Sequence, residues 1–163
     1  MSHMPVDHRL RGVYRGLAFV VGAAMLGFGT AAYVQTSGRP FFDQNGETLL
    51  GVTANPAFAL FSAVLGAIVL VGLLIGRNVD ARLNVCVGVL LMVAGCAQLI
   101  LIPTDANVLA STVTNVNVQF MLGLILLIAG LYGATARAPR VTLPGSAADT
   151  TGHPSEQQSV RSE

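Results

Sequence analysis

The side chains in this sequence that could do chemistry fall into three small sets. Six amides, Gln35, Asn55, Gln98, Asn115, Asn117 and Gln119, stand in or beside apolar runs. Two thiols, Cys86 and Cys96, share one apolar stretch. Three imidazoles, His3, His8 and His153, lie near the chain ends. Amides do not titrate in the working range; they donate and accept hydrogen bonds. Between helices in lipid they tie neighbours together for about 1 kcal/mol or less each. The first reading of the amides is therefore an interhelical polar layer. A sharper one is the lining of a site for a small polar ligand or a quinone head group, and a third is a contact with polar residues of a larger partner.

The thiols and imidazoles support less. Ten residues along one helix separate the two sulfurs by ~15 Å, too far for a disulfide. They read as small apolar residues of a packed bundle. Cys-x9-Cys without a nearby histidine is no metal motif. Terminal histidines cannot ligate a haem between helices. Ser62 and Ser111 have no histidine or carboxylate to activate them. The glycines lie inside apolar runs and not between a strand and a helix, so no phosphate loop is formed. The residue types thus imply no catalytic, cofactor or metal site, and a protein that is not an enzyme.

The elements that carry these residues are apolar spans. The chain is 163 residues long, 53% hydrophobic and only 10% charged, against about 25% charged in soluble domains. Four charge-free windows are long enough to cross a hydrocarbon core of about 30 Å as helices. They predict spans at about 16–36, 55–76, 84–102 and 117–135, within a membrane domain of residues 16–136. Asn55 is placed to cap the second helix with Pro56 at its first position, Gly76 to end it, and Pro103 to end the third. Residues 48–54 are expected as a short interfacial or re-entrant piece. Residues 1–15 form a basic N-terminal segment. Residues 137–163 are rich in small and polar residues and are expected to be a disordered tail.

Charge placement orients these spans. All nine basic residues are arginine. With four spans, Arg9, Arg11, Arg15, Arg77, Arg82, Arg137, Arg140 and Arg161 share one side, leaving Arg39 on the other. The positive-inside rule puts both termini in the cytoplasm and the protein in the inner (plasma) membrane. No arginine cluster is dense enough to track phosphates, which excludes nucleic acid as a partner. The fold class is an all-α four-helix transmembrane bundle with cytoplasmic termini.

Small residues mark where helices can approach. Ala18–Gly22 and Ala23–Gly27 are small-xxx-small pairs on helix one. Eight glycines across the four spans (22, 27, 66, 72, 88, 95, 123 and 130) look too many for one four-helix core. Helix one, through Ala18, Gly22, Ala23 and Gly27, is therefore expected to face a helix of another integral membrane subunit.

Several stretches carry a resemblance. His8-Arg9 precedes helix one, Leu-Leu-Gly-Val-Thr-Ala-Asn-Pro (49–56) leads into helix two, and Asp-Ala-Asn-Val-Leu (105–109) precedes a Leu-Gly-Leu-Ile-Leu-Leu-Ile-Ala-Gly-Leu fourth helix (122–131). Together, over residues 8–134, they resemble an actinobacterial family of four-helix membrane proteins of unknown function. That family's pattern often has histidines near the Asn-Pro stretch and in the fourth helix; here residues 57–62 and 115–119 contain none. In general character the chain also resembles accessory proteins of the mycobacterial cytochrome bcc–aa3 supercomplex. Glycine-rich helix faces, uncharged spans and the lack of site chemistry point to a non-catalytic accessory or assembly subunit of a membrane complex, and the second resemblance implies a respiratory supercomplex as its partner. A small transporter or channel component is the alternative, and a quinone-binding redox protein the third reading.

Overall fold

A computed structural model describes residues 10–134, and the expected disordered tail at 137–163 lies outside them. Four helices run antiparallel in sequence order: α1 (Arg11–Gln35), α2 (Pro56–Ile75), α3 (Val79–Leu101) and α4 (Val113–Gly133). All four are long and apolar enough to cross a membrane. Helix is the form such sequences take in lipid, because it satisfies every backbone N–H and C=O within the segment.

Three helix starts differ from the sequence expectation. α1 begins at Arg11 and not near residue 16, so Arg11 and Arg15 are helical. α3 begins at Val79 and not at 84, with Asp80 in its first turn. α4 begins at Val113 and not at 117, because Thr112 caps it by accepting a hydrogen bond from the Asn115 N–H. In each case polar residues belong to the helix end and not to a loop. Helix two starts as expected: Asn55 caps it and Pro56 occupies its first turn.

The α2–α3 connection is only Gly76, Arg77 and Asn78, with φ of 64°, 51° and 65°. Three successive residues of positive φ reverse the chain within one turn. Glycine takes that conformation freely and asparagine tolerates it.

Residues 48–54 are not helical. They form most of a β-hairpin, β1 (Glu47–Leu49) with β2 (Val52–Ala54), in which Thr48 pairs with Thr53. The turn is Leu50-Gly51, with φ of 52° and 82°. Positive φ at both turn positions matches the right-handed strand twist, and Gly51 supplies the second without strain. Arg39 braces the hairpin base: it pairs with Asp43 at 3.3 Å and also with Glu47.

Helices α1 and α2 pack closely along their length, as do α3 and α4, while the two pairs meet less extensively. Glycines make this possible. A Cβ on Gly66 would lie 2.5 Å from the Leu26 nitrogen and 2.7 Å from the Gly22 carbonyl oxygen. On the other pair, a Cβ on Gly88 would lie 2.9 Å from the Gly123 oxygen. Seven of the eight glycines thought too many for one core meet neighbouring helices in this way, and Gly27 alone of the eight has open space. The main core lies between the pairs, with Ala18, Met25, Val69, Leu91 and Leu126 among its buried members. A second cluster, including Phe58 and Ala59, sits under the hairpin with Phe28, Leu49 and Val52 against it.

Candidate functional site

The polar residues gather at the two ends of the bundle, which are built differently. At the hairpin end Asn55 is fully buried. Its Oδ1 accepts from the Phe58 N–H at 2.8 Å, capping α2. Its Nδ2 donates to the Asp43 carbonyl at 3.0 Å and the Val108 carbonyl at 2.8 Å. One side chain thereby joins the first loop, helix α2 and the loop before α4.

Asn115 plays a parallel part. Its Oδ1 accepts from the Thr53 N–H at 3.0 Å, and its Nδ2 donates to the Thr53 carbonyl at 2.5 Å. The amide completes the free edge of β2 as a neighbouring strand would, and so fastens the hairpin to α4. Gln98 accepts from the Ser111 hydroxyl at 2.9 Å.

Of the expected polar layer, Asn55, Gln98, Asn115 and Gln119 are buried, but Gln35 and Asn117 are exposed. The place of Gln35 is taken by its neighbour Thr36, fully buried and bonded to the Ala32 carbonyl. The helical phase decides this: at 3.6 residues per turn, Asn117 lies well round the helix from Asn115.

Below this layer is a cavity of about 300 Å³ between the two helix pairs. Met25 and Phe28 of α1, Phe61 and Ser62 of α2, Leu91 of α3, and Gln119 and Leu122 of α4 line it, with Leu50 and Val52 of the hairpin at one end. The walls are mostly apolar. Ser62 donates its hydroxyl proton to the Met25 carbonyl at 3.1 Å. Gln119 Nε2 donates to the Leu91 carbonyl at 2.9 Å, while its Oε1 is buried with no partner.

The opposite end carries charge. Asp80, whose side chain is 3% exposed, faces Arg15 at 3.2 Å and Arg11 at 3.9 Å. Arg15 also donates to the Leu73 carbonyl at 2.6 Å, in the last turn of α2. A cation there also complements the partial negative charge of the helix C-terminus. Arg15 thus fastens the start of α1 to the end of α2 and the start of α3. Tyr14 and Tyr132 stack beside it with ring centres 6.0 Å apart. An acidic residue in the first turn of a helix was the sequence signal for Asp80.

The expected partner face on helix one divides. Ala18 and Gly22 are buried within the chain, Gly22 against Val69 and Leu70 of α2. Ala23 is half-buried, and Gly27 is exposed with nothing within 4 Å. Cys86 and Cys96 point outward from α3 and not into the packed bundle. Among the described residues no three His, Cys, Asp or Glu side chains come together as a metal site. Against protein-family models, curated proteins and solved structures alike, the chain finds no match.

Proposed function

We propose that this protein is a non-catalytic accessory subunit of a larger membrane complex, held by a helix of another integral subunit against the outer side of α1. The observation that carries this reading is the open row of small residues there. Gly16, Gly27 and Ala31 are exposed, and both glycines have nothing within 4 Å. Helical spacing puts them on one face with half-buried Ala23. Lipid tails gain nothing from such a notch, whereas a second helix gains close backbone contact. Gly12, one turn before Gly16, is open in the same way, while the other glycines of the described helices close on neighbours within the chain, so this row stands apart from the bundle's own packing. The arginine-rich end faces the cytoplasm of a plasma membrane by the positive-inside rule. The likeness in general character to supercomplex accessory proteins suggests a respiratory supercomplex as the partner.

The test is purification in a mild detergent with mass spectrometry of co-eluting proteins, for the native chain and for Gly27→Leu. The reading expects a stoichiometric membrane subunit with the native chain and its loss from a Gly27→Leu protein of unchanged helicity. A pure homo-oligomer, or a partner retained by Gly27→Leu, would overturn it; the homo-oligomer would favour a small transporter or channel.

A further inference from the structure

We propose that the cavity beneath the hairpin binds an elongated, uncharged membrane molecule through one hydroxyl group, which donates to Gln119 Oε1. The argument does not depend on a partner at α1. Gln119 is 4% exposed, and its Oε1 is a buried acceptor without a donor. The amide cannot escape this by turning over. Its Nε2 donates to the Leu91 carbonyl at 2.9 Å, and a flip would set two acceptor oxygens against each other.

Nor does the cavity's neighbouring hydroxyl supply the proton. Ser62 gives its single hydroxyl hydrogen to Met25. The other amide of the lining, Asn115, directs its Nδ2 to the Thr53 carbonyl, and no donor of the described residues lies within hydrogen-bonding distance of Oε1, so the occupant is assigned the missing donor. The lining contains no acidic residue to neutralise a cation, which favours a neutral hydroxyl over an ammonium. A molecule with carbonyls alone, such as an oxidised quinone, brings only acceptors and leaves Oε1 unsatisfied.

The rest of the lining suits the apolar body of such a molecule. Phe28, Phe58 and Phe61 give broad contact area, and the loose seam between the helix pairs gives the space. Leu50, at the tip of the hairpin, is 89% exposed and lines one end of the cavity. It is held there with φ of 52°, a conformation that leucine rarely adopts. A prenyl alcohol and a diglyceride both have this chemistry: an apolar body and one free hydroxyl.

The experiment is a native mass-spectrometric titration of the full chain in maltoside micelles. The probes are farnesol, farnesyl methyl ether and dioleoylglycerol. The proposal expects farnesol or dioleoylglycerol to bind at one per chain, and whichever binds tighter identifies the source. It expects the methyl ether to bind at least about tenfold more weakly than farnesol, which corresponds to ~1.4 kcal/mol. In Gln119→Leu that preference should vanish, so that alcohol and ether bind alike. In Leu122→Trp, which fills the cavity, both should be lost. Equal binding of alcohol and ether to the native chain, no binding of either hydroxyl probe, or a preference surviving in Gln119→Leu would each overturn the proposal. Should Gln119→Leu fail to fold, the alcohol–ether comparison on the native chain decides alone.

Discussion

Alanine at Gly66 and alanine at Gly27 should move stability in opposite directions. Both glycines lie inside apolar helices, so both substitutions gain the same helix propensity, about 1 kcal/mol in favour of alanine. At Gly27 nothing stands within 4 Å of the new methyl group, and that gain should be realised. At Gly66 the methyl would lie 2.5 Å from the Leu26 nitrogen and 2.7 Å from the Gly22 oxygen. Those are backbone atoms of α1, which no rotamer change can move aside. The α1 and α2 helices would have to part by roughly 1 Å, and overpacking of this kind costs ~1–3 kcal/mol. Because the propensity gain is common to both, the difference between the two variants isolates the clash and should be ~1–3 kcal/mol. Reversible unfolding in mixed micelles, with the denaturing detergent fraction raised and helicity followed by circular dichroism, measures it. Variants of equal stability, or Gly27→Ala as the weaker of the two, would refute the claim that glycine sets the α1–α2 approach.

Asn55→Ala should destabilise the fold by more than the ~1 kcal/mol of a lost helix cap, because the Asp43 and Val108 carbonyls also lose their buried donor; the same assay, with limited proteolysis of the two loops, checks this. Asn55→Asp should keep the cap but set a buried carboxylate oxygen against both carbonyls, and so destabilise at least as much as Asn55→Ala. Asp80→Asn should reduce stability by less than the ~3–5 kcal/mol of a fully buried broken ion pair, since the Arg15 side chain is 38% exposed and reaches water; a loss beyond that range would show Arg15 to depend on Asp80 more than its exposure allows. In a background with Cys86→Ala and Cys96→Ala, single cysteines at Asp43 and Asn78 should react with a membrane-impermeant maleimide from opposite sides of sealed vesicles, and labelling of both from one side would exclude four spans.

The helices were legible in the sequence because long uncharged runs in lipid have one stable form. The Asn55-Pro56 start was legible because capping is local. The starts of α3 and α4 were not. Asp80 and Arg82 looked like loop residues, yet at a membrane boundary charged residues continue a helix while reaching water or each other. Which amides face inward was also hidden. A soluble helix announces its buried face by apolar periodicity, but here lipid and core are both apolar, so nothing in the pattern separates Asn115 from Asn117. The same ambiguity covered the glycines: spacing marks Ala18–Gly22 and Ala23–Gly27 alike, and only the position of α2 tells them apart. The hairpin escaped because strands of three residues carry too short an alternation to read. The cavity depends on the seam between helix pairs, a property of no single stretch.

The close α1–α2 and α3–α4 pairing also bears on how the chain assembles. Each pair joins helices adjacent in sequence, so the first two can associate in the bilayer while the third is still being synthesised. The three-residue turn at Gly76, Arg77 and Asn78 then brings the second pair alongside at once. The contacts between the pairs would then come last, with Asn55 joining the two long loops and Asn115 fastening the hairpin to α4. A chain made as two fragments, cut at that turn, should therefore recombine when co-expressed, each half entering the membrane as a ready-made helical hairpin.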